Sequence, residues 1–155
     1  MIISKTPLRV SFFGGGTDIP SYYKNNQYGS VVSTSINKYI YVSVKKHSDL
    51  FKEKYRLNYS ETEITNTKNQ IKNNIIKETL NYMNIEDSLY ISTIADIPGS
   101  SGLGSSSSFC VGLVNCLYKY KGINASSRII ANTAANIEMN ILNKPIGKQD
   151  HYAAA

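Results

Sequence analysis

Eleven consecutive residues, Pro98-Gly99-Ser100-Ser101-Gly102-Leu103-Gly104-Ser105-Ser106-Ser107-Ser108, run directly into the apolar positions Phe109, Leu113, Val114 and Leu117. Glycines let a backbone approach a ligand closely, and the serines add hydroxyls at the point where a helix begins. The free N–H groups and positive dipole end of that helix suit an anion, of which a nucleotide phosphate is the natural example. Ser105 follows Gly104 where a Walker loop would carry lysine, and the G-x-G-x-x-G fingerprint breaks at Ser107. The loop is therefore neither a Walker loop nor a Rossmann turn. A flexible serine-rich connector is the alternative, and the strong periodicity of the abutting helix argues against it.

Glu138 is flanked at helical spacing by Ala134, Ala135, Ile141 and Leu142, so apolar side chains frame a carboxylate. Burial of that charge demands a partner, for which Mg²⁺ shared with a serine hydroxyl is suited; a carboxylate reaching water from an edge position is the alternative. Asp150 follows twelve residues later, beyond the break at Pro145, where a new element can return it to the same cleft. Arg9 stands among apolar residues of an expected strand and requires a carboxylate or phosphate. After Gly14-Gly15-Gly16-Thr17, Asp18 offers an acceptor for sugar hydroxyls, or equally an ordinary turn or N-cap before Ile19-Pro20.

These residues need a scaffold, and the 155-residue chain is the length of a single domain or lobe. Hydrophobic residues make up 41%, enough for a core, while no apolar run reaches the length of a membrane span. The N-terminus lacks a secretory hydrophobic segment. Cys110 and Cys116 lie six apart, which is neither a disulfide framework nor a metal-ligand spacing, and a reducing cytoplasm is the expected location. The net charge of +6 comes from lysines scattered through Lys24, Lys38, Lys52, Lys68, Lys77 and Lys119, without an arginine-rich block. Such lysines read as a solvated surface or as a face attracting phosphorylated metabolites, and charge alone decides nothing; neither nucleic acid nor membrane is an expected partner.

Residues 7–13, 31–36 and 39–44 read as strands, and Tyr55, Leu57 and Tyr59 alternate as in a further one; these are expected to neighbour one another in an antiparallel sheet, while 89–94 reads as a strand feeding the glycine-serine loop. Helical spacing spans Asn66 to Met83, then about 105–120, and then a stretch from Asn124–Ser126 to just before Pro145. The ending at Ala153-Ala154-Ala155, without a cap, leads to the expectation of a fragment.

Together these segments resemble the GHMP kinases, the family of galactokinase, homoserine kinase, mevalonate kinase and phosphomevalonate kinase, from Pro7 to Tyr152. The stretch from Pro7 to Asp18 is similar to the first family motif. Pro98 to Ser108 is similar to the second, the ATP-phosphate loop, and is the most specific of the signals. Gly147-Lys148-Gln149-Asp150 is similar to the segment carrying the catalytic aspartate, and Glu138 falls at the magnesium-binding glutamate. The triple glycine and the Gly147 to Asp150 segment are most similar to the D-glycero-D-manno-heptose 7-phosphate kinase branch, which phosphorylates an anomeric hydroxyl.

The resemblance implies an α+β fold, a ribosomal protein S5 domain 2-like lobe with a mostly antiparallel sheet, helices on one face and a left-handed βαβ crossover. Residues 1–155 would form this N-terminal, ATP-binding lobe. A C-terminal ferredoxin-like lobe would be missing, leaving the isolated piece inactive. It further implies ATP held by Pro98, Gly99, Ser101, Gly102, Leu103, Gly104, Ser105, Ser106 and Ser107, and Mg²⁺ held by Ser106 and Glu138. Asp150 would be the catalytic base with Arg9 as its ion-pair partner, and Lys148 would stabilise the transferring phosphoryl group. Gly14, Gly15, Gly16, Thr17 and Asp18 would grip a sugar phosphate. Fucokinase- or galactokinase-like activity, or an S5-like RNA-binding module, are the competing expectations.

Overall fold

A computed structural model describes residues 1–99 and 101–155. Five strands, β1 (Ile2–Phe13), β2 (Val32–Lys46), β3 (Tyr55–Asn58), β4 (Thr62–Thr65) and β5 (Leu89–Ala95), form one sheet in the order β1-β2-β5-β3-β4. All neighbours are antiparallel except β3 and β5, which run parallel and are joined through β4 and a helix. The result is the expected α+β lobe with a mostly antiparallel sheet.

The strands are longer than hydrophobic alternation suggests. β1 starts at Ile2 because buried Ser4 and Thr6, not apolar residues, face the core in its first half. β2 is one strand rather than two: Pro7 pairs with Tyr39 and Arg9 with Ser35, so a bulge around Asn37 and Lys38 absorbs the polar interruption. β4 escapes a period-two reading because its inward residue is the buried Glu63.

A short helix α1 (Pro20–Tyr23) follows the glycine turn. α2 (Asn74–Tyr82) begins eight residues after the expected Asn66, because Asn73 Oδ1 caps it by accepting from Ile76 N–H at 3.1 Å. Glu63 accepts from Lys72 N–H at 2.6 Å and Asn73 N–H at 3.0 Å, fixing the entry to that helix, while Ile71 joins the core from outside it. α3 (Ser105–Tyr120) is buried around most of its circumference, between β1 and β2 on one side and α4 (Ser127–Asn136) on the other. Its cysteines, Cys110 and Cys116, are free and buried.

α4 opens on Ser126, whose Oγ accepts from Ile129 N–H, and passes into a π turn at Ile137–Ile141. A loop then leads to α5 (Gln149–Ala154), which contacts β1, α3 and α4. Among the described residues, no helix is long and apolar enough to cross a membrane. The sheet face opposite α3 carries Lys5 with its Nζ 3.9 Å from the Tyr39 ring centroid, and Tyr41 lies beside it.

Candidate active site

The glycine-serine loop connects β5 to α3 and ends at Gly104, which adopts φ +77° immediately before the first helical residue. That left-handed conformation is strained for a residue with a Cβ, and the first N–H groups of α3 follow directly after it. They have no side-chain cap and no acidic neighbour in the first turn. Ser101, Gly102, Gly104, Ser105, Ser106 and Ser107 line one side of a cavity of about 360 Å³. Ser105 Oγ is buried without a hydrogen-bond partner. Uncapped N–H groups and an orphaned hydroxyl form a donor set suited to phosphate oxygens. Ser107 and Ser108 turn inward, and Ser108 Oγ donates to the Pro7 carbonyl at 2.9 Å, tying the loop to β1. Ser100 lies outside the described residues.

Glu138 stands on the opposite wall, on the π turn, and is completely buried. The extra residue per turn is a device that often re-aims a side chain at a functional site. Its Oε1 accepts from Ser106 Oγ at 2.6 Å and from Lys144 Nζ at 2.6 Å, and Lys144 Nζ also reaches Ser106 Oγ at 3.0 Å. Oε2 lies 2.8 Å from His151 Nε2. Burial works to raise the Glu138 pKa, but hydrogen bonds from His151, Lys144 and Ser106 outweigh it and bring the group down to about 2. Glu138 is thus a buried carboxylate rather than one reaching water. Lys144 and His151 were not singled out by sequence reasoning.

Asp150 borders the same cavity from α5. Arg9 grips it with two parallel bonds, Nε to Oδ1 at 2.7 Å and Nη2 to Oδ2 at 2.6 Å, and spends Nη1 on the Gly102 carbonyl at 2.9 Å. The Arg9 backbone N–H donates to the Leu103 carbonyl at 3.2 Å. One arginine therefore registers β1, the loop and α5 against one another, and the bidentate geometry sets the orientation of the carboxylate.

Asp18 holds α5 in place: its Oδ2 accepts from Gln149 N–H at 2.9 Å and its Oδ1 from Gly16 N–H at 3.1 Å. It does not cap α1, whose N-cap is Ile19 without a side-chain bond; it ties the glycine turn to the start of α5. A Cβ built on Gly147 would meet Asp18 Oδ2 at 1.8 Å, so only glycine permits the approach. Gly147→Ala should therefore destabilise the lobe by about 1–3 kcal/mol, by pushing the Asp18 carboxylate off the Gln149 N–H at the start of α5. Denaturant unfolding measures this, with Gly99→Ala as control, because nothing lies within 4 Å of a Cβ there.

The remaining expected site residues divide among adjoining cavities. Pro98 and Gly99 line a larger one of about 600 Å³, which shares Ser105 and Ser106 with the phosphate-sized cavity and has Tyr59, Phe109 and Ile97 on its walls. Gly14, Gly15 and Leu103 line one of about 430 Å³ that contains Arg9 and Gly102. Thr17 donates its hydroxyl within the glycine turn, to the carbonyls of Gly14 at 2.7 Å and Ser30 at 3.0 Å. Gly16 lies in the same turn. Lys148 is placed apart from the loop: its Nζ sits 4.6 Å from the Tyr23 ring centroid, and it lines a further cavity of about 430 Å³ with Asp18 and Gln149. Lys144 lines the phosphate-sized cavity.

The oxygens around Glu138 fit a hard divalent cation. A carboxylate and a hydroxyl converge on one point, and the ammonium of Lys144 already stands there as a positive charge. Among the described residues no cluster of three or more His, Cys, Asp or Glu side chains forms a metal cage. Mg²⁺ needs none, since it is ordinarily held by one or two carboxylates together with substrate phosphates.

The α+β lobe thus brings together a Gly-Ser loop at the uncapped start of α3, an exposed serine bonded to a buried glutamate, and an arginine-held aspartate. The chain belongs to the GHMP kinase family: the model of the GHMP kinases N terminal domain matches residues 70–155. It is 32% identical over 163 aligned residues to D-glycero-alpha-D-manno-heptose 7-phosphate kinase of Campylobacter jejuni subsp. jejuni serotype O:2, covering 99% of this chain and 48% of that protein. A D-glycero-D-manno-heptose 1-phosphate kinase from Bacteroides thetaiotaomicron superposes with a TM-score of 0.87 at 26% identity, covering 100% of this chain and 53% of the other. Mevalonate kinase of Methanococcus jannaschii shares the fold, with a TM-score of 0.74 at 24% identity, over 99% of this chain and 50% of its own. The chain spans about half the length of the relatives it matches.

Proposed function

We propose that this chain is the nucleotide-binding half of an ATP-dependent kinase whose acceptor is a hydroxyl of a sugar or sugar phosphate, specifically the anomeric hydroxyl of a heptose 7-phosphate. The observation that carries the reading is the meeting of three groups around one cavity of about 360 Å³: the N-terminus of α3, the Ser106–Glu138 pair and the Arg9-held Asp150. The nucleoside would occupy the adjoining 600 Å³ cavity, whose walls of Tyr59, Phe109 and Ile97 suit a flat apolar ring. Triphosphate oxygens would accept from the N–H groups and hydroxyls of residues 101–107. Ser106 and Glu138 would hold Mg²⁺, which neutralises charge on the transferring phosphoryl group.

Asp150 would orient the acceptor hydroxyl and take its proton as the hydroxyl oxygen bonds to phosphorus and ADP leaves. Arg9 keeps the carboxylate aimed, so less of its freedom has to be lost on the way to reaction. The Gly14 to Asp18 turn and the cavities beside Arg9 and Lys148 would hold the sugar. The heptose kinase names of the two relatives support the substrate class, and they differ in the phosphate ester each name carries.

Incubation of the full-length protein with Mg²⁺, ATP and D-glycero-D-manno-heptose 7-phosphate tests the acceptor, with galactose and fucose as competitors. ³¹P NMR should reveal a new anomeric phosphate signal alongside ADP. Phosphorylation of the competitors alone would overturn the heptose assignment. Lys5, Tyr39 and Tyr41 gathered on the open sheet face favour RNA as a second reading, and a salt-dependent shift of RNA without ATP turnover would support it.

A further inference from the structure

Lys144 lines the phosphate-sized cavity and has no role in the reading above. Its ammonium sits 2.6 Å from Glu138 Oε1 and 3.0 Å from Ser106 Oγ, the two oxygens assigned to the divalent ion. Two cations cannot share that point: like charges a few ångströms apart repel strongly in a partly desolvated site. The side chain is not locked in place, since it is one-third exposed, whereas Glu138 is wholly buried. Its backbone is anchored independently, with the Lys144 N–H donating to the Glu138 carbonyl at 3.0 Å and the Lys144 carbonyl accepting from Ile146 N–H at 2.8 Å. The head group can therefore move while its base stays fixed. The same cavity offers it a destination, because Lys144 faces the loop residues that would cradle phosphate oxygens.

We infer that Lys144 is an exchangeable internal cation: it occupies the Ser106–Glu138 position before metal arrives, yields it to the divalent ion, and then turns its ammonium to the nucleotide phosphates. The inference rests on the phosphate-site reading above. Lys144 stands on one oxygen of the buried carboxylate and His151 on the other, so displacement of the ammonium leaves the His151 contact in place. A lysine used this way contributes to nucleotide binding twice, once by keeping the metal ligands in shape and once as a point charge on phosphate.

Binding measurements on the full-length protein test the exchange without recourse to turnover. Mn²⁺ affinity is read by electron paramagnetic resonance without nucleotide, and ATP affinity by calorimetry at saturating Mn²⁺, for wild type, Lys144→Met and Lys144→Gln. Removing the resident cation should tighten Mn²⁺ binding about tenfold, while ATP binding at saturating Mn²⁺ should weaken about tenfold, each change amounting to about 1.4 kcal/mol. Mn²⁺ affinity that is unchanged or weaker in both variants would overturn the exchange and leave Lys144 as a structural ion pair. Ser106→Ala and Glu138→Gln separate this from failure of the underlying reading: if both bind Mn²⁺ with ATP as wild type does, the metal assignment itself is wrong. Melting temperatures of the variants confirm that each is folded.

Discussion

Asp150→Asn in the full-length protein should lower turnover by about 10³-fold, the scale of a lost general base, while changing ATP affinity by no more than about twofold. The amide keeps the size of the carboxylate but presents one accepting oxygen and one NH₂ donor to Arg9. One of the two bonds at 2.6–2.7 Å is then replaced by a donor facing a donor. A change in stability accompanies the loss of activity, so the melting temperature must be followed in parallel. Arg9→Lys discriminates the two contributions: it retains a charge but not the fork that contacts Asp150 and Gly102 together. Its turnover should fall by a smaller factor than that of Asp150→Asn. Near-normal turnover of Asp150→Asn would remove Asp150 from the chemistry altogether.

Glu138→Gln should nearly abolish metal-dependent nucleotide binding and also alter the acid stability of the lobe. In the native protein the Glu138 pKa falls from 4.5 to about 2, because hydrogen bonds from His151, Lys144 and Ser106 outweigh the burial that raises it. A depressed carboxylate stabilises the fold fully above its unfolded pKa, and that contribution disappears as pH falls through the folded value. The window therefore runs from about pH 4.5 down to about 2, and such a displacement corresponds to roughly 3 kcal/mol. Glutamine cannot titrate, so the variant should lose less stability than wild type across that window. At neutral pH it should be less stable by about 1–3 kcal/mol. The amide carbonyl can still accept from Lys144 and Ser106. Its NH₂ can face His151 Nε2 if the imidazole proton moves to Nδ1, which is buried without a partner. Urea unfolding at pH 7, 4.5 and 3 measures both effects, and parallel acid profiles for the two proteins would contradict them.

The parts of the site carried by local periodicity were legible from the chain alone. The helix after the Gly-Ser loop begins at Ser105 as expected, since turn residues give way abruptly to apolar residues at helical spacing. Arg9 announced a partner by its position in an apolar strand, although nothing local indicates that the partner lies 141 residues away. Lys144 and His151 were not legible as members of the Glu138 cluster. Their placement depends on a π turn and on the loop after it, both products of tertiary packing rather than of the 3.6-residue pattern. Glu63 illustrates the same limit: as a buried carboxylate in an inward strand position, it disguises β4 as a loop while supplying the acceptors that start α2. Lys148, which the family resemblance assigns to the transferring phosphoryl group, has its side chain over Tyr23, a contact that nothing in the local sequence indicates.

The central claim is that the triphosphate and its metal lie between residues 101–107 and Glu138. A crystal structure of the full-length protein with Mn²⁺ and a non-hydrolysable ATP analogue tests it directly, through the anomalous signal of the ion. The account requires an anomalous peak bonded to Glu138 and Ser106, with phosphate oxygens at the N-terminus of α3 and Asp150 facing the γ-phosphoryl group. A well-ordered nucleotide whose phosphates and metal sit in any other cavity would contradict it.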